Sequence, residues 1–216
     1  MKYQVTRFKD LRLCLRELEP FIRNGEHLQT GKPFQRFGGL RSRELLANWL
    51  MCVAVNSTTQ PGRLTFTSDP LGGDGIIVDT LTEETWPTEH VLVPYSRAGE
   101  PADQLILEAI ERKQRKGGSA YASGKTLVVF LNAAAGEWFP NKVAEQLPEA
   151  LSFDATWVVG KLGEARARPQ QAPSPCAEVG EYVYGVTRFD LRRGNAPTWV
   201  VRIGRNFDGW TVEPFQ

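Results

Sequence analysis

Residues 72–93 read GGDGIIVDTLTEETWPTEHVLV, and two short apolar runs inside them decide the architecture. Ile76-Ile77-Val78 and Val91-Leu92-Val93 are separated by a polar connection that contains Pro87. Asp74 precedes the first run and Glu89 the second, and neither is a residue that a strand selects for its own stability. A buried carboxylate is costly unless it is paired or bound to a metal. A β-hairpin over this stretch brings both groups to one end of a sheet, where they form a candidate divalent-cation site.

The composition is that of a folded globular chain. Of 216 residues, 41% are hydrophobic and 24% charged, with 6 Trp and 11 Phe to fill a core. That length buries a full core as one domain, so residues 1–216 are read as a single unit. No apolar run is long enough to span a bilayer, and the start, MKYQVTRFKD, lacks the apolar centre of a signal peptide. The expectation is a cytoplasmic protein with no membrane partner. The net charge of +1 gives no general attraction for nucleic acid, so any such surface must be local. Cys14, Cys52 and Cys176 have no CxxC spacing, which argues against a disulfide framework and a thiolate zinc site. With only His27 and His90, a metal here would be held by oxygen, which points to Mg2+ or Mn2+.

Outward from the hairpin, residues 6–24 carry Phe8, Leu11, Leu15, Leu18 and Ile22 on one helical stripe, broken or kinked near Pro20 and ended by Asn24-Gly25. Residues 25–40 read as a loop, with Gly31, Pro33 and Gly38-Gly39 as breakers. A helix follows from Ser42, read as its N-cap, to Val55. Leu45, Leu46, Trp49, Leu50 and Val53 cover most of its circumference, which predicts burial on nearly all sides. Glu44 and Asn48, four apart, make one polar stripe along it; an exposed edge near the helix start would also accommodate Glu44.

Strands are expected at 63–68, 74–80 and 88–93, joined by links short enough for antiparallel neighbours. Residues 101–116 then form a helix stopped by Gly117-Gly118. The runs 126–131, TLVVFL, and 155–160, ATWVVG, are strands buried on both faces, with a short helix at 140–150 between them. Residues 161–178 are Pro-, Gln- and Ala-rich and read as a long loop, and residues 179–216 as a β extension built from YVYGVTRF, TWVVRIG and GWTVEP.

The order α-β-β-β-α-β over residues 42–160, with Glu44 in the first helix, Asp74 opening the second strand and Glu89 the third, resembles the PD-(D/E)xK (restriction-endonuclease-like) nuclease superfamily. The resemblance implies an α/β fold: a mixed central sheet flanked by helices, here with an N-terminal helix and a C-terminal β extension. It also implies that Asp74 and Glu89 ligate Mg2+ (or Mn2+), with Glu44 as an outer or second-metal ligand, and that the partner is nucleic acid, DNA first. The motif's lysine belongs two residues after the glutamate, and that position is Val91; His90 faces the other way by strand alternation. Some members of the superfamily carry the lysine on the following helix. Lys113 fills that place, near the centre of the stripe formed by Leu105, Ile106, Ala109 and Ile110. Its ammonium needs a partner, and Asp74 and Glu89 are the candidates; snorkelling from the last turn of the helix is the structural alternative.

Other signals carry less. Gly124-Lys125-Thr126 resembles the end of a phosphate-binding loop, but Ser119 stands where the first glycine belongs and the segment leads from helix to strand, the reverse of that motif. Arg112, Lys113, Arg115 and Lys116, together with Arg41 and Arg43, would flank a nucleic-acid cleft. The scattered tryptophans suit core packing. The expected function is Mg-dependent phosphodiester hydrolysis by a DNA endonuclease in which Lys113 and Glu44 act at the reaction. The alternative is a catalytically inactive nuclease-like fold that binds nucleic acid or protein. Assembly as a homodimer or with a protein partner is compatible with either.

Overall fold

In the computed structural model, residues 8–30, 33, 37–93, 99–131, 137–148, 151–162, 182–191 and 193–215 are described. The long loop expected at 161–178 lies almost wholly outside them.

Asp10 starts the first helix by accepting hydrogen bonds from the main-chain N–H groups of Arg12 and Leu13, both at 2.9 Å. This helix, α1, is Leu11–Arg23, and it buries Cys14, Leu15, Leu18 and Ile22. It continues through Pro20 to Arg23, so the proline does not break it. A single turn, α2, Glu26–Thr30, follows where a loop was expected, and it is held to the next helix by Ser42 Oγ donating to the His27 carbonyl at 2.9 Å. Ser42 is therefore spent on that contact rather than on capping. The N-cap of α3, Ser42–Thr58, is Arg41, whose main-chain N–H donates to Glu44 Oε2 at 2.8 Å.

Apart from half-buried Arg43, α3 is buried from Ser42 to Ala54, including its polar residues Glu44 and Asn48. Trp49 donates from Nε1 to the Leu11 carbonyl at 2.8 Å, tying α3 to α1, and its ring meets Trp210 edge-on at 5.1 Å. A helix that is apolar all round must be enclosed, and the sheet supplies the enclosure.

The strands are β1 Leu64–Thr67, β2 Ile76–Asp79, β3 Thr85–Val93, β4 Thr126–Leu131, β5 Ala155–Lys161, β6 Tyr182–Phe189, β7 Thr198–Ile203 and β8 Trp210–Pro214. They form one eight-stranded sheet in sequence order. β1, β2 and β3 are antiparallel, β3, β4 and β5 parallel, and β5 through β8 antiparallel again. The two edge strands, β1 and β8, both touch α3, so the sheet curls around that helix. The C-terminal strands are thus part of the same sheet and form the far wall of the α3 enclosure.

The opposite face carries α4, Ala102–Ala122, and α5, Pro140–Gln146. α4 is the crossover that parallel pairing of β3 and β4 requires. Ile106, Ala109 and Ile110 of α4 pack with Leu127, Val129 and Leu131 of β4, while Val128 and Phe130 turn to the α3 side. That division explains why β4 is apolar at every position. The stop expected at Gly117-Gly118 is a kink: Gly118 takes φ 65°, after which the chain makes one more helical turn to Ala122. α5 ends at Gln146, earlier than its sequence suggests. Cys14 and Cys52 are buried free thiols. Among the described residues no helix is long and apolar enough to cross a membrane.

Candidate functional site

The site lies where β2 stops and β3 continues. The two strands pair as far as Ile76 opposite Pro87, and Thr88 N–H then donates to the Gly75 carbonyl at 2.8 Å. Beyond that point, on the edge away from β4, no strand among the described residues lies beside β3, and buried main-chain groups there need partners. Asp74 supplies one: its Oδ2 accepts the His90 N–H at 2.7 Å. Lys113 supplies the other, with Nζ donating to the His90 carbonyl at 3.2 Å. Two sequence-predicted residues therefore converge on the same residue of β3 because the ladder is unfinished there.

Alternation along β3 then separates two environments. Glu89 and Val91 face α4, whereas His90 and Leu92 face α3. On the α4 side, Glu89 is 7% exposed and receives Lys125 Nζ on Oε1 at 2.8 Å. Its Oε2 takes Lys113 Nζ at 3.1 Å together with the hydroxyl of Tyr121. The Lys125 ammonium also sits 4.0 Å from the centre of the Tyr121 ring, a cation–π contact. Burial alone would raise the Glu89 carboxyl, but the hydrogen bonds from Lys125 and Tyr121 and the charge of Lys113 hold it below the ordinary glutamate range. The same environment pushes the Tyr121 phenol up, through burial and its bond to Glu89.

On the α3 side, Asn48 is fully buried and bridges the two strand heads. Its Nδ2 donates to the Asp74 carbonyl at 3.0 Å, which places Oδ1 toward His90 Nε2 at 3.2 Å. His90 must therefore carry its proton on Nε2. Burial and the nearby charges of Arg43 and Lys113 push its pKa down to about 3, so the ring is neutral at neutral pH. Among the described residues, His90 Nδ1, Thr88 Oγ1 and Arg43 Nε are buried without a hydrogen-bond partner. Gly75 is required by this packing: a Cβ there would lie 2.3 Å from Asn48 Nδ2.

The carboxylates form a chain rather than a cluster. The Asp74 carboxyl is raised by burial and by the charge of Glu89, and Glu44 is raised by burial and, in part, by the charge of Asp74. Asp74 is the middle member. Glu44 is tied to Arg41, through the N–H already described and through Arg41 Nε at 3.6 Å. Among the described residues no group of three or more His, Cys, Asp or Glu side chains closes around one point. Lys113 has found a carboxylate, and it is Glu89, not Asp74.

Tyr121 is the site residue that sequence reasoning missed, because it lies beyond the apparent stop at Gly118. Lys125 drew notice only as part of a false phosphate-loop motif. A signal for it did exist: Lys125, Leu127, Val129 and Leu131 alternate along β4, and Leu127 is the register partner of Glu89. Lys125 thus shares the face of Glu89, one step back along the strand. Asn48 was visible as the polar partner of Glu44 on α3, without an assigned contact. No family model, curated protein or solved structure matches the chain.

Proposed function

We propose that this chain hydrolyses phosphodiester bonds with the help of a divalent cation, acting on DNA as an endonuclease. The observation that carries the reading is Asp74 locked onto β3 beside Glu89, with a helix-borne lysine, Lys113, held against both the Glu89 carboxylate and the His90 carbonyl. This arrangement stands on an α3-β1-β2-β3-α4-β4 order with antiparallel β1 to β3 and parallel β3 and β4. The resemblance to the PD-(D/E)xK superfamily supports the same reading.

The donor set suits Mg2+ or Mn2+. Its atoms are carboxylate oxygens, and Mg2+ takes one or two carboxylates while keeping several waters, so Asp74 and Glu89 suffice without a third ligand. Burial and the charge of Glu89 raise the Asp74 carboxyl against the His90 N–H and the charges of Lys113 and Arg41, and a bound cation would favour its ionised form. When bound, such an ion supplies polarisation of the phosphoryl oxygens and a more acidic water. In the net reaction the hydroxyl of water bonds to phosphorus, one P–O ester bond breaks, and the proton of water ends on the departing alkoxide. Lys113 would hold positive charge beside the oxygens that gain negative charge. Glu44, whose carboxyl is raised by burial and in part by the charge of Asp74, would assist as the outer carboxylate. Arg112 and Lys116 are exposed on α4, and Arg41 is exposed at the start of α3; all three could contact a phosphate backbone.

The second reading is a catalytically silent binding module on the same architecture. Two observations favour it: Val91 occupies the usual lysine position, and both oxygens of Glu89 are already engaged. Incubation with supercoiled plasmid distinguishes the two. The enzyme reading expects nicked or linear product with Mg2+ or Mn2+ and none with excess chelator. DNA retention without cleavage, equal with and without metal, would establish the module instead.

A further inference from the structure

Lys125 and Lys113 both neutralise Glu89, but they are not held alike. Lys113 is fixed twice, to Glu89 Oε2 at 3.1 Å and to the His90 carbonyl at 3.2 Å, and its side chain is 17% exposed. Lys125 holds Oε1 at 2.8 Å, rests on the Tyr121 ring, and is 28% exposed. Tyr121 stands on a helical turn between Gly118, at φ 65°, and Gly124, at φ 76°, whereas Lys125 follows Gly124 just before β4, where its carbonyl accepts the Asp154 N–H at 2.9 Å. Gly124 donates its N–H to Asp154 Oδ1 at 3.1 Å and Ala122 is fully buried, so the main chain here is anchored and the mobile part is the Lys125 side chain on its flexible stem.

The proposed cation position between Asp74 and Glu89 needs an oxygen of Glu89. Oε2 is shared by Lys113 and Tyr121, whereas among the described residues the partner of Oε1 is Lys125 alone. An ammonium in hydrogen-bond contact with Oε1 would strongly repel a divalent ion bound to that same oxygen, in a half-buried site where screening is weak.

Building on the metal-dependent reading above, we propose that Lys125 is an exchangeable counter-ion: it holds Glu89 Oε1 in the cation-free protein and leaves when a divalent cation binds there. Its exit is carried by rotation of its own four-carbon side chain. Lys113 stays, because its second bond to the His90 carbonyl does not depend on Glu89. The device keeps a buried carboxylate paired in both states, so the site does not pass through an uncompensated charge.

The test uses the full chain and Mg2+, which is diamagnetic, with calorimetry and carbon–proton NMR of the lysine ε-methylene groups. Lys125 lies over an aromatic ring, so its ε-methylene protons resonate upfield, and Lys125→Met identifies the signal by removing it. The proposal expects Mg2+ to return that signal to the position of an exposed lysine as the site fills. It also expects Lys125→Met to bind Mg2+ several-fold more tightly than the native chain. Binding heat with an unmoved signal, or with equal or weaker affinity in Lys125→Met, overturns the exchange and leaves the metal site standing. Absence of binding heat in both proteins overturns the exchange and the metal reading together.

Discussion

Asn48 and His90 face each other across the head of the sheet, with Asn48 Oδ1 3.2 Å from His90 Nε2. The same amide holds the Asp74 carbonyl through Nδ2, and the Asp74 carboxylate holds the His90 N–H, so three residues close a ring of hydrogen bonds. The ring sets the position of Asp74 without using any atom that a substrate or cation would need, apart from one carboxylate oxygen. Replacing Asn48 by Leu strands a buried ring N–H and a main-chain carbonyl, each at about 1–3 kcal/mol. Urea denaturation should show a lower midpoint at unchanged slope; an unchanged midpoint would mean that the ring contributes little.

Gly75 is expected to tolerate no side chain. It sits at φ 130°, and an added Cβ would meet Asn48 Nδ2 at 2.3 Å and Thr88 Oγ1 at 3.2 Å. Backbone strain of this kind costs on the order of 1–3 kcal/mol before the clash is counted. Gly75→Ala should therefore melt well below the native chain. Gly72→Ala, at φ 85° with open space around its Cβ, carries the strain without the clash and should fall less. Equal losses in both would remove the close approach of Asn48 from the explanation.

The buried imidazole also sets a pH dependence. Its pKa is pushed down to about 3 in the folded protein, against about 6.5 for an unperturbed histidine. Below pH 6.5 the unfolded chain therefore binds a proton that the folded chain refuses, and stability falls with pH across the window from about 6.5 toward 3. Arg43, Lys113 and Glu89 set the field at the ring, while Asp74 and Glu44, both raised, contribute in the opposite sense because the folded state holds their protons more firmly. Comparing the native chain with His90→Gln isolates the histidine. The difference in unfolding free energy between the two should shrink as pH drops from 7 to 4.5, and a constant difference would contradict a neutral buried ring.

Lys113→Met should separate chemistry from folding. Lys125 still neutralises Glu89 and Tyr121 still donates to it in that variant, so the fold should persist, with a modest loss from the uncapped His90 carbonyl. In the proposed hydrolysis Lys113 would stand beside the developing charge, so cleavage should fall by roughly 10²–10³, the usual cost of one such stabilising donor. Unimpaired cleavage by a folded Lys113→Met would move the role of the lysine elsewhere, with Lys125 as the next candidate.

Much of this fold could be read from local pattern. The three antiparallel strands, the crossover helix and the doubly buried β4 follow from period and turn chemistry, and α3 was recognisable because apolar residues cover nearly its whole circumference. What escaped depends on contacts distant in sequence. The runs at YVYGVTRF, TWVVRIG and GWTVEP read as strands, but nothing local says that β6 pairs with β5 and that β8 closes over Trp49. Ser42 looks like a cap until the His27 carbonyl, fifteen residues earlier, claims its hydroxyl. At the site, Asp74, Glu89 and Lys113 were marked by residue type in an unusual place. Tyr121 was hidden because Gly118 interrupts a helix that then resumes, a distinction that composition does not carry.

The account rests on Asp74 and Glu89 forming one divalent-cation site at the head of β2 and β3. The most direct measurement is plasmid cleavage with Mn2+ by the native chain, Asp74→Asn and Glu89→Gln, each shown by circular dichroism to be folded. Both substitutions keep the shape of the side chain and remove its charge. The account predicts cleavage by the native chain and, in each variant, a loss beyond the roughly 10–100-fold typical of residues that only support a metal ligand. Cleavage at the native rate by either folded variant would contradict it.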